Sequence, residues 1–444
     1  MTTTPIFALQ KPKGISLDEI EAELSQIWRS QSGEKGNHSA TRATTFTMVV
    51  YEPEEFQQTL GALGFYDGPI DGLYGPKTKE AVRQAQITYG LRVTGRIDSE
   101  TLERLRAEMG QRGPTPVTNV DQRGFNFSSA IAAQNPCRVI TLCPQIGVEE
   151  GISVQVSAYC PVQKQSGSRL ICCEYISLRG DKQSLAQTGD LIESLMISDL
   201  PKFVWWKATP NPEQPLFKLL AEVCNCLILD SSYFSDPESE FLKMQELLES
   251  ETYVADLNWH RLSPWQELAA AAFDPPERRQ ALVEIDRVTI DYEKGNAAQA
   301  LMYLGWLASR LGWKPLRYTE SLENDYELSH IWFQGPGDRP IEAELAAVPT
   351  ADWGEVSGDL IGLRLSSTNP HADCNTILCS ETTGCMRMEA GGSAQSSRTE
   401  QVTALSDQKA EFLLGQQLQR WGRDFLYEES LAVTAQMLRL RNQA

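Results

Sequence analysis

The sequence predicts an α/β N-terminal domain with an inserted small three-helix module, followed by an α+β C-terminal domain. Three observations predict it. Apolar, β-branched runs alternate with helical periodicity across 128–235, as in a sheet layered with helices. A Gly- and Asp-punctuated helical stretch at 54–108 interrupts that pattern between two apolar strand-like runs. Beyond 236, helical segments come first and strand-like segments follow. A chain of 444 residues also exceeds what one core organises, so two or three domains are expected. The divisions are 1–53 (helix and strand of the α/β domain), 54–108 (module), 109–127 (linker), 128–235 (α/β domain) and 236–444 (C-terminal domain).

In chain order, Ile15, Leu17, Ile20, Leu24, Ile27 and Trp28 mark one apolar helical face, with Ser16 as a plausible cap. The run ATTFTMVVY is β-branched and aromatic and is expected to be a strand. In the module, Gly and Asp supply tight turns between helices whose apolar faces include Leu60, Leu63, Val82, Ala85, Ile87, Leu102 and Leu105. Its text, GFYDGPIDGLYGPKT, then AVRQAQ, then a GL/TG/ID pattern ending in Leu105, resembles the peptidoglycan-binding-like three-helix fold, with Ala85 departing where that family often has an aromatic. The Gly- and Pro-rich stretch that follows reads as a linker. Strands are then expected at CRVITLCP, ISVQVSAYCP, LICCEYISLRG, KFVWWKA and CLILDSSY, with helices at SLAQTGDLIESLM and LFKLLAEVC. The C-terminal domain offers helices at ESEFLKMQELLES, SPWQELAAAAF and AAQALMYLGWLASRLG, then strands YELSHIWFQ, IEAELAAV, DLIGLRLSST, NTILCS and CMRMEA. A final helix is expected to break near Gly422.

Composition narrows the function. A formal net charge of −19 repels phosphate backbones and anionic lipid, so nucleic acid and membrane are poor partners. No apolar run approaches the roughly 20 residues needed to span a bilayer, and the N-terminus lacks the pattern of a secretory signal. A cytoplasmic protein is expected. Its ten cysteines then read mostly as small buried hydrophobes in a reducing compartment.

Catalytic chemistry is not evident. The chain has no Gly-rich dinucleotide fingerprint after a strand, no P-loop, no HExxH and no nucleophile elbow. Of four histidines, His38 lies in a polar stretch, His330 inside an apolar strand, and His260 among aromatics that favour packing. Cys224 and Cys226 share one face of a strand, but no further ligands at matched spacing complete a zinc site. Asp230 and Asp236 end a strand where α/β sheets often place functional groups, although turn and cap chemistry explains them as well. The expectation is no enzyme, no cofactor and no metal. An unrecognised site near Asp230 and His260 is the enzymatic alternative, and literal cell-wall binding by the module is another.

DLPKFVWW (Asp199–Trp206), LILDSS and DLNWHRLSPW resemble blocks of the OpcA family of glucose-6-phosphate dehydrogenase assembly proteins. The early ATRATTFTMVVYE and later YLGWLASRLGW are similar to its photosynthetic bacterial branch, which also carries the inserted small module. The resemblance implies a non-catalytic allosteric activator that binds the dehydrogenase oligomer and feeds the oxidative pentose phosphate pathway. Trp205, Trp206, Asp230, Trp259, Arg261 and Trp265 fall in the matching blocks and are candidates for partner binding. The bland reading of the tryptophans is core: on a strand Trp205 and Trp206 face opposite ways, and a sheet covered on both faces buries both.

HADCNTILCSETTGCMRMEAGG holds the most testable chemistry. If NTILCS and CMRMEA form a hairpin, Cys379 and Cys385 sit directly opposite, within reach of a disulfide, whereas Cys374 and Cys379 lie too far apart along one strand. Two readings stand, ordinary thiols or a switch. For this branch the resemblance implies redox control through thioredoxin, with Cys379 and Cys385 as the natural target and the oxidised protein as the better activator.

Overall fold

The computed structural model describes residues 6–31, 40–42, 44–52, 56–68, 76–95, 97, 99–112, 136–145, 151–161, 170–234, 236–250, 252–274, 276, 279–323, 326–349, 356, 358–369, 374–380, 385–391, 399–404, 409–420 and 422–441. His38 and His371 lie outside them. The chain divides into two compact units, Met1–Leu229 and Asp230–Ala444.

The first unit is built on strands β1 (Ile6–Ile15), β2 (Ala40–Arg42), β3 (Thr47–Tyr51), β4 (Arg138–Pro144), β5 (Ile152–Pro161), β6 (Leu170–Gly180), β7 (Lys202–Trp206) and β8 (Cys226–Leu229). They run in the order β1-β5-β6-β4-β3-β7-β8, with β2 beside the start of β6. The run from β6 to β8 is parallel throughout, whereas β5 joins β6 antiparallel and β1 joins β5 antiparallel. Parallel strands covered on both faces need apolar residues without alternation. TMVVY and RVITLCP meet that need, and every residue of both strands is buried. The expected helix at the N-terminus forms over Ile20–Gln31, preceded by β1, which periodicity alone did not reveal. The expected single helix at SLAQTGDLIESLM is two, Lys182–Ala186 and Gly189–Leu195. Asp181 caps the first of these, accepting from the Gln183 and Ser184 amides.

Between β3 and β4, which pair in parallel, lie helices Phe56–Ala62, Pro76–Tyr89 and Ser99–Arg112. Leu60, Leu63, Tyr66, Ala81, Val82, Ala85 and Leu105 form their shared apolar cluster. Ile87 is 57% exposed and Leu102 half-buried, so the predicted apolar face was drawn one residue too wide. Buried Gln86 ties the last helix to its turn, donating to the Thr94 and Thr101 hydroxyls and accepting from the Thr94 and Gly95 amides. Gly95 sits at φ +72°, and a side chain there would meet Arg83.

The second unit opens with helix Pro237–Glu249, short strand β9 (Val254–Asp256) and helices Leu257–Arg261 and Ser263–Phe273. Its main sheet uses β10 (Arg287–Glu293), β11 (Lys314–Glu323), β12 (Tyr326–Gln334), β13 (Pro340–Val348), β14 (Leu360–Ser366), β15 (Cys374–Ser380), β16 (Cys385–Gly391) and β17 (Thr399–Ala404). Their order is β11-β12-β13-β10-β14-β15-β16-β17, antiparallel except where β10 meets β13. Helix Ala298–Leu311 packs on helix Phe425–Arg441, and Gly305 permits the close approach: a Cβ there would lie 2.6 Å from the Ser430 carbonyl oxygen. The expected break in the final helix falls between Gln417 and Phe425, with Gly422 inside it.

Candidate functional site

The parallel strands of the first unit follow the doubly wound order: counted along the chain, their spatial sequence is third, second, first, fourth, fifth. Sheets of this order hold ligands in the crevice at the carboxyl ends of the first and fourth strands, where the chain reverses direction of winding. Here those ends are Tyr51 and Trp206, which face each other in register. Their rings stack with centroids 3.8 Å apart and planes within 7°, and Phe217 closes on Trp206 edge-on at 4.9 Å. The Trp206 indole donates to the Thr209 carbonyl oxygen. One residue further on, Lys207 Nζ reaches Glu52 Oε2 at 2.6 Å and lies over the Trp205 ring at 4.9 Å.

A dinucleotide site needs glycines at the first turn, so that backbone amides can approach a pyrophosphate. This sequence instead reads Glu52-Pro53-Glu54-Glu55. Proline lacks a backbone N–H, and three carboxylates repel phosphate. The Glu52 carboxylate is 1% exposed and committed to Lys207. The arrangement can hold two strands together through aromatic stacking and an ion pair. It is ill suited to anchoring an anionic cofactor.

In the second unit the residues after Asp230 build a buried polar knot. Arg261 donates to both Asp230 oxygens, at 2.7 and 2.9 Å. Asp230 also caps the turn that follows it, accepting from the amide and hydroxyl of Ser232. Asp256 accepts from the amides of Ser231 and Asn258, both at 2.9 Å. Asn258 then donates to Ser231 Oγ and accepts from Arg261 and Gln299. Asn296 fans its amide across the carbonyls of Ser231, Ser232 and Phe234. Burial and the Asp230 charge push the Asp256 carboxyl up to about 6, and its Oδ2 has no hydrogen-bond partner among the described residues. Burial pulls Arg261 down, but Asp230 outweighs it and holds the guanidinium charged above its ordinary range. His260 hydrogen-bonds Gln417 at 2.7 Å, and burial lowers its pKa.

These contacts decide what the predicted residues can do. Trp205, Trp206, Asp230, Trp259, Arg261 and Trp265 are each at most 5% exposed. All six side chains are buried within their own units. Trp259 is pinned by its indole to Asp424, and Trp265 receives the Tyr303 hydroxyl on its carbonyl oxygen. Both Asp230 oxygens are engaged, by Arg261 and Ser232. Sequence reasoning missed Glu52, Lys207, Asn258, Asn296 and Gln299; only the acidic run Glu52-Pro53-Glu54-Glu55 carried a legible signal.

The cysteine hairpin forms as β15 and β16, but its register differs from the expectation by one residue. Cys379 lies opposite Met386, and Cys385 opposite Ser380. Residues 381–384 lie outside the described residues. Cys224 and Cys226 form no disulfide, and burial pushes the Cys224 thiol up to about 12. Among the described residues no cluster of three or more His, Cys, Asp or Glu could hold a metal, and no helix is long and apolar enough to cross a membrane.

Comparison with known proteins follows the two units. Residues 128–246 match the glucose-6-phosphate dehydrogenase subunit N-terminal domain, and residues 252–431 the corresponding C-terminal domain, both of the OpcA type. Residues 51–105 match a peptidoglycan binding domain. A protein from Synechococcus elongatus named for the OxPP cycle, OpcA, is 57% identical over the full length of both chains. Its namesake from Nostoc punctiforme is also 57% identical, covering all of this chain and 97% of that one. A 3-ketoreductase structure from Actinomadura kijaniata overlaps at TM-score 0.39 and 10% identity, over 57% of this chain and 80% of that one, too loosely to bear on fold or chemistry.

Proposed function

Since the chain belongs to the OpcA family of glucose-6-phosphate dehydrogenase assembly proteins, we propose that it is a non-catalytic, redox-responsive activator and assembly partner of that enzyme. Full-length identity to relatives of that name supports the partner. What supports the non-catalytic reading is the pair of contacts at the carboxyl ends of β3 and β7, where Tyr51 stacks on Trp206 and Glu52 pairs with Lys207. A doubly wound sheet whose first strand is followed by Glu52-Pro53-Glu54-Glu55 in place of glycines serves here as a scaffold. Activation then works by differential binding: the protein holds the competent dehydrogenase conformation more tightly than the incompetent one. A coupling of about 1–3 kcal/mol corresponds to roughly 5–150-fold in an affinity.

The redox response is assigned to Cys379 and Cys385. With Cys385 opposite Ser380, closing this disulfide requires the mouth of the hairpin to open or slip by one residue. Oxidation therefore reshapes the end of β15 and β16, and a thioredoxin-type dithiol restores it. In this reading the protein works in the cytoplasm, the oxidised form activates more strongly, and reduction weakens it. The test is size-exclusion chromatography of the protein with recombinant dehydrogenase, oxidised and reduced. Co-elution that weakens on reduction, and loses its redox dependence in Cys385→Ser, supports the reading. Co-elution indifferent to redox state removes the switch and keeps the partner.

The peptidoglycan binding match at 51–105 favours a second reading, attachment to the cell wall. Pelleting with purified sacculi decides it; on the activator reading the protein stays in the supernatant and the three helices serve as a protein-binding or spacing element.

A further inference from the structure

Cys172, on β6, is disulfide-bonded. Of the seven cysteines in the first unit, Cys137, Cys143, Cys173, Cys224 and Cys226 form no disulfide, and Cys160 is the remaining one. The backbone arrives at the same residue independently. β5 and β6 are antiparallel with Tyr159 opposite Cys173, and one further step of that register sets Cys160 opposite Cys172. Directly opposed residues of antiparallel strands are the neighbours a cross-strand disulfide can join. The register of β15 and β16 denies that relation to Cys379 and Cys385 and that of β5 and β6 grants it to Cys160 and Cys172.

We propose that Cys160 and Cys172 form a second redox site, a disulfide that ties β5 to β6 and titrates independently of the hairpin in the other unit. On oxidation the two thiols lose two protons and two electrons to a small-molecule disulfide, which leaves as two thiols. A dithiol reverses the step through a mixed disulfide on one of the two sulfurs. The site sits where β6 changes partners, from β2 at Arg42 beside Cys172 to β4 from Glu174 onward. β1 reaches the main sheet only through β5, and Phe7 pairs with Cys160. The bond therefore fixes the antiparallel extension β1-β5 to the parallel core. Cys172 is fully buried, so a reductant reaches it only when the strand ends open, and reduction is slow.

Neighbouring thiols supply an internal control. Cys173 follows Cys172 and so points to the opposite face of β6, where its sulfur lies 3.4 Å from the Cys137 amide nitrogen. Cys137 and Cys173 stay reduced while Cys160 and Cys172 are joined.

The experiment uses the full chain, oxidised with glutathione disulfide, alkylated, and digested with trypsin and a Glu-specific protease so that Cys143 separates from Cys160. The expected result is a linked peptide whose fragmentation joins Cys160 to Cys172, with Cys137 and Cys173 recovered alkylated. Cys385→Ser leaves that linked peptide unchanged, and Cys160→Ser makes Cys172 alkylatable, a gain of one label on that residue. Prolonged dithiol treatment releases two further thiols and speeds amide hydrogen exchange in β1 and β5. Full alkylation of Cys172 in the oxidised wild-type chain, or its linkage to Cys137 or Cys173, overturns the proposal. The wild-type map decides this even if a cysteine variant fails to fold.

Discussion

Asp256 should make the second unit less stable above pH 6 than below pH 4, and Asp256→Asn should remove that dependence. In the folded chain, burial and the charge of Asp230 push its carboxyl up to about 6. In the unfolded chain it releases its proton near the ordinary Asp value of about 3.9. Between those limits the folded state binds more protons than the unfolded state, so stability falls as pH rises through the window. The gap, from 3.8 to about 6, corresponds to about 3 kcal/mol at roughly 1.36 kcal/mol per unit. The amide in Asp256→Asn keeps an oxygen for the Ser231 and Asn258 amides and carries no charge. It should match the parent near pH 4 and exceed it by about 1–3 kcal/mol at pH 7. The assay is urea unfolding of parent and variant at half-unit steps from pH 4 to 8, followed by tryptophan fluorescence. Other carboxylates titrate in both proteins, so the difference curve isolates Asp256. A difference that stays constant from pH 4 to 8 would mean that Asp256 does not titrate in this window.

The remaining predictions concern the Asp230–Arg261 and Glu52–Lys207 ion pairs and nucleotide binding. Arg261→Met strands the buried Asp230 carboxylate and should cost about 3–5 kcal/mol, read by thermal unfolding. Lys207→Met strands Glu52 with a similar loss, whereas Lys207→Met with Glu52→Gln should return most of it, because this site needs neutrality more than charge. A fluorescence titration with NADPH should give no saturable signal with the wild-type chain, and saturable binding at micromolar concentration would count against the non-catalytic reading.

Much of the fold was legible because parallel strands buried on both faces leave continuous apolar runs. TMVVY, RVITLCP and CLIL were such runs, and Trp205 beside Trp206 already implied a sheet covered on both sides. Among the strands that escaped, β1, β10 and β11 mix charges with apolar residues, and their strand character comes from neighbours distant in sequence. The polar knot was hidden for a related reason. Asp230, Asn258, Asn296 and Gln299 look like ordinary turn and helix residues until the fold brings them together. The hairpin was found, but its register was not, since register depends on turn geometry and on pairing to β14 and β17. The paired partner of Cys172 was hidden because its neighbour Cys173 made both look like core.

The central claim is activation, and the direct measurement is the rate of NADPH formation by glucose-6-phosphate dehydrogenase as this protein is titrated in. The account predicts a saturable rise in rate or apparent substrate affinity, within roughly 5–150-fold, larger with the oxidised protein than with the reduced one. A rate unchanged at every concentration and in both redox states would contradict it.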